Sequence, residues 1–105
     1  MTYRSKYGHA GELFYNALSG MASNTDDIKT RLIAAFKYGL SGLRTDELPP
    51  SLWRRYKVIY DEVTAAPDAG AGSFSAAVSA MDEKRASEIA RELFSIYACL
   101  VNEWY

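Results

Sequence analysis

The chain has 105 residues, of which 49% are hydrophobic and 24% are charged, and its formal net charge is −1. This length suits one domain, the composition excludes a disordered chain, and the near-zero charge favours neither a nucleic-acid binder nor an acidic mimic of nucleic acid. One cysteine excludes an internal disulfide, and the sequence shows neither a signal peptide nor an apolar run of membrane length. We therefore expect a soluble cytoplasmic protein that does not enter a membrane.

Residues 1–9 are polar and aromatic and contain no acid, which predicts an extended polar arm. The candidate contact residues of this arm are Tyr3, Arg4, Lys6 and Tyr7. Helix one is predicted at 10–21, because apolar residues recur there at steps of three and four. Its apolar stripe consists of Leu13, Phe14, Ala17, Leu18 and Met21.

Helix two is predicted to begin after a cap at Asn24 or Thr25 and to run to about residue 43. Residues 44–50 then form a connector, in which a single turn places Leu48 inward. Pro50 suits the first turn of a helix, where its missing amide hydrogen costs nothing. Helix three is accordingly predicted at 51–65.

Residues 66–73 are rich in glycine and alanine and contain a proline, which predicts a flexible connector. A short helix is expected at 74–80, with Ser73 as its cap. The last and longest helix follows Asp82, whose carboxylate can accept hydrogen bonds from the first turn, and continues to the end of the chain. At about 1.5 Å per residue this helix is about 33 Å long, so it can serve as the spine for the others.

These elements predict a single all-α domain over 1–105, a compact bundle of four to five helices with a long C-terminal helix. No stretch alternates with a period of two, so no sheet is expected. The predicted core residues are Leu13, Phe14, Leu18, Leu32, Phe36, Leu40, Leu52, Tyr56, Ile59, Val63, Phe74, Ile89, Leu93, Ile96 and Leu100.

The residues that usually carry chemistry form no recognisable motif. His9 is the only histidine, and no second histidine or nearby cysteine completes a metal site. Cys99 has no activating base close in the sequence. Two of the four pairs of adjacent acids fall at helix starts, where they complement the helix dipole. We therefore expect no catalytic residue, no metal and no cofactor, although a pocket inside the bundle remains an alternative.

Helix three carries the surface that the sequence favours for contacts. Trp53 lies one position off the apolar seam, beside Arg54 and Lys57, and a partly exposed tryptophan next to arginine is typical of an interface hot spot. The competing interpretation is that Trp53 closes the bundle against the Leu48 turn. With Arg55, and with Arg44 just before it, the same helix could instead present a basic face to nucleic acid, aided by Arg4 and Lys6 of the arm.

Residues 28–97, about two-thirds of the chain, contain the segments IKTRLIAAFKYGLSGL, DELPPSL, EVTAAP, AAVSAM and DEKRASEIARELFSIY. Taken together, this part of the chain resembles small uncharacterised all-helical proteins of bacterial mobile elements and phage-related regions. The resemblance implies a bacterial or phage protein with an accessory role in defence or counter-defence. It assigns no activity to any residue.

The sequence thus favours a non-enzymatic protein-interaction module, because it combines a rigid helical scaffold with eight tyrosines and no catalytic motif. The expected partner is another protein, with a homodimer as a variant of the same idea. Two alternatives stay open. One is a nucleic-acid-binding accessory protein, and the other is a small-ligand-binding protein or enzyme.

Overall fold

A computed structural model describes residues 7–65 and 73–104 of the chain. Within these residues there are five α-helices, two single 3-10 turns and no strand, which confirms the predicted all-α bundle with a long C-terminal helix. The helices are α1 (Gly8–Ser23), α2 (Ile28–Lys37), α3 (Pro50–Val63), α4 (Ser73–Ala80) and α5 (Glu83–Trp104). The 3-10 turns are Leu40–Gly42 and Thr45–Glu47.

The long helix α5 packs against α1, α2 and α3, while α4 packs against α2 and α3. The buried core draws on every helix, and most of the predicted core residues are in it. Three predicted core residues are only partly buried and pack against its edge: Leu13, Leu18 and Phe74. No helix among the described residues has both the length and the apolar composition needed to cross a lipid bilayer.

The helix starts follow local capping chemistry. The side chain of Asp27 accepts a hydrogen bond from the Thr30 amide at 2.8 Å, so Asp27 caps α2 rather than the predicted Asn24 or Thr25. Asp82 accepts from the Arg85 amide at 2.8 Å and begins α5 as predicted. Each carboxylate satisfies an amide that the first helical turn leaves without a partner.

Several boundaries differ from the predicted ones. Helix α1 starts at Gly8, because the Tyr7 carbonyl already accepts from the Gly11 amide, so residues 8 and 9 of the predicted arm are helical. Helix α3 has Pro50 in its first turn as expected, and it ends at Val63, two residues before the predicted end. Ser73 is the first residue of α4 and not its cap, whereas 66–72, the rest of the predicted connector, lie outside the described residues.

Helix α2 ends six residues earlier than predicted. The Leu40 carbonyl accepts from the Leu43 amide at 3.1 Å, which closes a 3-10 turn, and it also accepts from the Tyr56 hydroxyl at 2.6 Å. The tighter turn places both leucines in the core, with exposed fractions of 0% and 8%. The predicted inward turn is confirmed as well, because Leu48 is 2% exposed.

Tyr56 lies at the centre of an aromatic cluster that joins α1, α2 and α3. Its ring centroid lies 6.1 Å from that of Phe14, 6.3 Å from Phe36, 5.5 Å from Trp53 and 6.0 Å from Tyr60. Offset and edge-to-face pairs at these distances add stability beyond the burial of apolar area. The cluster therefore fixes how α3 sits against the first two helices.

Candidate functional site

The predicted surface on helix three is only partly available for contacts. Trp53 is partly buried and packs against the core through Tyr56. Arg54 is exposed, and Lys57 Nζ lies 2.8 Å from Asp61 Oδ1, one turn farther along the helix. The face therefore offers a partly buried tryptophan, one exposed arginine and a lysine that is already paired.

The other predicted contact residues are dispersed. Arg44 is exposed and lies before the Thr45–Glu47 turn, which packs against α3. Its guanidinium Nε is 3.9 Å from Asp46 Oδ1, a loose ion pair. Tyr7 is partly buried against the core. The remaining three, Tyr3, Arg4 and Lys6, lie outside the described residues.

Arg55 holds α3 to α5 and does not belong to the exposed basic face. Its Nε donates to Glu92 Oε2 at 2.8 Å and its Nη2 donates to Ser95 Oγ at 2.9 Å, while Nη1 lies 3.7 Å from Cys99 Sγ. The hydrogen bond to Glu92 raises the pKa of the Arg55 guanidinium above its ordinary value. Lys57 is also paired, with Asp61. Of the four cations predicted on or beside helix three to bind nucleic acid, only Arg44 and Arg54 are therefore left for that role.

A second polar link joins the same two helices. Arg85 Nε donates to Glu62 Oε2 at 2.8 Å, and Arg85 Nη1 lies 3.2 Å from Glu88 Oε1. The bond from Arg85 lowers the pKa of the Glu62 carboxyl. The polar side of the α3–α5 contact is thus used for holding the fold together.

The side chain of His9 contacts a residue that lies far from it in the sequence. Its Nδ1 lies 2.5 Å from Glu47 Oε2, and Glu47 Oε1 accepts the Arg44 amide at 2.9 Å. Burial raises the pKa of the Glu47 carboxyl, but the bonds from His9 and Arg44 outweigh it and leave the pKa below its ordinary value. This contact ties the start of α1 to the Thr45–Glu47 turn.

A cavity between α1 and α2 bears on the small-ligand alternative. Its volume is about 260 Å³, and its polar lining consists of Asn16, Asn24, Arg31 and Tyr38. The part of the chain that the structure describes contains no group of three histidine, cysteine, aspartate or glutamate side chains able to hold a metal ion. The cavity has room for a small molecule but no cluster of acids or bases for chemistry.

Helices α1 and α5 together carry two exposed aromatic side chains beside a groove. Tyr15 is 59% exposed and Phe94 is 58% exposed, although both are large aromatic side chains. They border a shallow groove of about 500 Å³. We call the α1–α5 surface the set of groove residues from these two helices: Tyr15, Leu18, Ser19, Met21, Ala22, Ala90, Phe94 and Tyr97.

The α1–α5 surface carries no charge, and the cation at its border is already engaged. Arg31 lines the groove from α2, but its Nη1 donates to the Met21 carbonyl at 3.0 Å and its Nε lies 3.4 Å from the Asp27 carbonyl. The guanidinium therefore closes the end of the groove and fixes the loop between α1 and α2. An apolar surface with large exposed rings is typical of a site for protein contact.

The sequence held a signal for this surface. Helix α5 repeats one spacing of four, three and four in two adjacent registers. The first register is the core stripe Ile89, Leu93, Ile96 and Leu100. The second register is Ala90, Phe94, Tyr97 and Val101. Two adjacent registers make the helix apolar over about half of its circumference, which is wider than one core stripe needs.

No protein-family model matches the chain, and no curated protein and no solved structure shows significant similarity to it.

Proposed function

We propose that this protein is a non-enzymatic protein-interaction module that contacts its partner through the α1–α5 surface. The observation that carries the proposal is the exposure of Phe94 and Tyr15, each by more than half, beside a largely apolar groove in which Arg31 is the one charged lining residue. Burying apolar area yields about 25 cal/mol per Å², so two large rings left in water are a source of binding free energy. A partner that covers them gains this energy.

The surroundings of the surface suit this role. Helix α5 is fixed from the other side by the core stripe and by the Arg55–Glu92 pair, so the exposed rings stand on a rigid support. A rigid support lowers the entropy lost on binding. The resemblance to proteins of bacterial mobile elements adds the setting that we propose, an accessory role in defence or counter-defence in the bacterial cytoplasm.

The helix-three surface with Trp53, Arg54 and Lys57 is a secondary candidate for contact. It has less support, because the indole ring packs on Tyr56 and the lysine is paired with Asp61. The nucleic-acid alternative has less support for a related reason, since paired cations release fewer counterions from a phosphate backbone.

The test is affinity capture of the tagged protein from its native host with two matched variants. Phe94→Gln removes the ring at the centre of the surface, and glutamine preserves helix propensity. Val58→Gln is the control, because Val58 is 65% exposed on α3, away from the surface. We expect the wild type and the control to recover the same stoichiometric protein, whether another gene product or the untagged chain, and Phe94→Gln to lose it.

Two results contradict the proposal. One is equal recovery of that protein by Phe94→Gln and the wild type. The other is repeated recovery, under mild salt, of the tagged wild-type protein with no second protein and no untagged chain. Thermal unfolding of all three proteins shows that a loss of binding does not reflect a loss of folding.

A further inference from the structure

We infer that the cavity between α1 and α2 is a binding site for a small monocarboxylate whose apolar body has about the size of one ring. The inference does not depend on the proposed function, since Phe94 and Tyr15 do not line this cavity. The space in the cavity, the charge of its lining and its hydrogen-bond donors each bear on the class of ligand.

The cavity exists because small residues face each other across the two helices. Four lining residues have no side-chain atom beyond Cβ: Ala17, Gly20, Ala34 and Ala35. A Cβ atom added at Gly20 would have no packing neighbour within 4 Å, so this position faces open space. The volume of about 260 Å³ exceeds the roughly 150 Å³ of an apolar protein cavity that holds benzene, so one ring with a short substituent fits. Leu13 and Met21 complete an apolar wall against which the ring can pack.

The charge of the lining selects an anion. Arg31 is the one charged residue that lines the cavity, and it is partly buried. Among the described residues its guanidinium bonds only the carbonyl oxygens of Met21 and Asp27, and these neutral acceptors leave its positive charge in place. The Asp27 carboxylate accepts the Thr30 amide at the start of α2 instead. Charges that are withdrawn from water are normally paired, so an anion is the ligand that this lining favours.

The magnitude of the charge selects a monoanion. A single guanidinium supplies one positive charge, which a carboxylate matches. A phosphate monoester carries nearly two negative charges at neutral pH and would keep one of them without a partner in this cavity. The other polar lining residues, Asn16, Asn24 and Tyr38, are uncharged and cannot supply the missing cation.

The hydrogen-bonding groups of the lining also suit a carboxylate. The Arg31 guanidinium has more N–H donors than the two that serve the Met21 and Asp27 carbonyls. Asn24 Oδ1 already accepts the Asp26 amide at 2.7 Å, which leaves the side-chain nitrogen of Asn24 as a further donor. A carboxylate only accepts hydrogen bonds, and its two oxygens can take two donors at once.

Titration of the isotope-labelled full chain with phenylacetate, followed by amide NMR spectra at constant pH and ionic strength, tests this inference. Phenylacetate combines one ring with one carboxylate. Phenylacetamide keeps the ring and lacks the charge, whereas acetate keeps the charge and lacks the ring. A ligand of about ten non-hydrogen atoms binds weakly, so we expect a dissociation constant on the order of 1 mM and a titration that extends to about 20 mM. The amide signals of Gly20 and Ala35 should shift saturably, and acetate should leave them unchanged.

Two variants and a matched control locate the binding. Gly20→Leu fills the cavity, and the variant should fold because leucine suits a helix better than glycine. Ala22→Leu places the same side chain on the same helix, but in the groove toward α5. We expect Gly20→Leu to abolish the shifts and Ala22→Leu to match the wild type. Arg31→Gln and the exchange of phenylacetate for phenylacetamide should each weaken binding at least about tenfold, as the loss of a charged hydrogen bond does.

Three results overturn the inference. The first is a wild type that shows no saturable shift up to about 20 mM phenylacetate. The second is equal binding by Gly20→Leu and the wild type, which would place the ligand elsewhere. The third is equal affinity for phenylacetamide and phenylacetate, which would leave the carboxylate without a role. This last comparison uses the wild type alone, so it decides the role of the charge even if Arg31→Gln does not fold.

Discussion

Removing the hydroxyl of Tyr56 tests how much its buried hydrogen bond contributes to the stability of the fold. The side chain is 1% exposed, and its hydroxyl donates to the Leu40 carbonyl at 2.6 Å. Tyr56→Phe removes the oxygen and keeps the ring, so the aromatic contacts with Phe14, Phe36 and Trp53 should persist. The substitution therefore isolates one buried hydrogen bond.

The magnitude follows from what remains at the carbonyl. A buried acceptor without any partner costs about 1–3 kcal/mol. The Leu40 carbonyl retains the Leu43 amide at 3.1 Å, so the loss lies at the lower end of that range. We expect the free energy of unfolding to fall by about 1 kcal/mol, which corresponds to a decrease of about 4 °C in Tm for a domain of this size.

Tyr60→Phe is the matched control, and urea denaturation followed by circular dichroism is the assay. Tyr60 is a partly buried neighbour on the same helix, and its hydroxyl makes no hydrogen bond to the described residues. Its substitution should change the free energy of unfolding by less than about 0.5 kcal/mol. Equal losses in the two variants, or no loss in Tyr56→Phe, would refute the role assigned to the bond.

Alkaline pH gives an independent check on the same side chain. Burial raises the pKa of the Tyr56 hydroxyl, so the folded chain retains this proton when the unfolded chain begins to lose it near pH 10. The contribution of the hydroxyl is complete below that pH and decreases above it. The difference in stability between the wild type and Tyr56→Phe should therefore narrow as the pH rises past about 10.

Two further substitutions, at Arg55 and Trp53, probe α3, and a substitution at Arg54 serves as a control. Arg55→Met should lower the free energy of unfolding by about 1 kcal/mol, because a partly exposed cross-helix pair and its bond to Ser95 are lost. Arg54 is exposed and lies one position away, so Arg54→Met should change the free energy of unfolding by less than about 0.5 kcal/mol. Equal effects of the two substitutions would contradict the conclusion that Arg55 holds α3 to α5. Trp53→Ala should cost about 2 kcal/mol by urea denaturation, roughly half the value for a fully buried tryptophan. An unchanged stability with weakened partner binding would instead make Trp53 a contact residue.

The sequence predicts the helices well because their signals are local. The start of α5 depends on Asp82 and the start of α3 on Pro50, and both residues act within one turn of where they stand. Core positions such as Leu93 follow from spacing alone. The end of α2 was not predictable in this way, since it depends on Tyr56 donating to Leu40 across 16 positions.

The candidate site was less predictable for the same reason. Arg55 looked like part of a basic face, and its pairing with Glu92 joins residues 37 positions apart. The second apolar register of α5 was visible, but spacing shows only that a side of a helix is apolar. Whether a neighbouring helix covers Phe94 or leaves it exposed depends on the tertiary placement of α1, which the sequence pattern does not encode.

The position of α5 in the chain has a consequence for synthesis. Helix α5, which packs against α1, α2 and α3, is the last of the five described helices to be synthesised, and it ends about 40 residues after the end of α3. At about 5–20 residues per second, the first three helices wait roughly 2–8 s for the surface that completes their core. During this interval the sides of α1, α2 and α3 that α5 later covers have no partner from α5. A product whose translation stops before Leu93 lacks three buried core residues of α5: Leu93, Ile96 and Leu100.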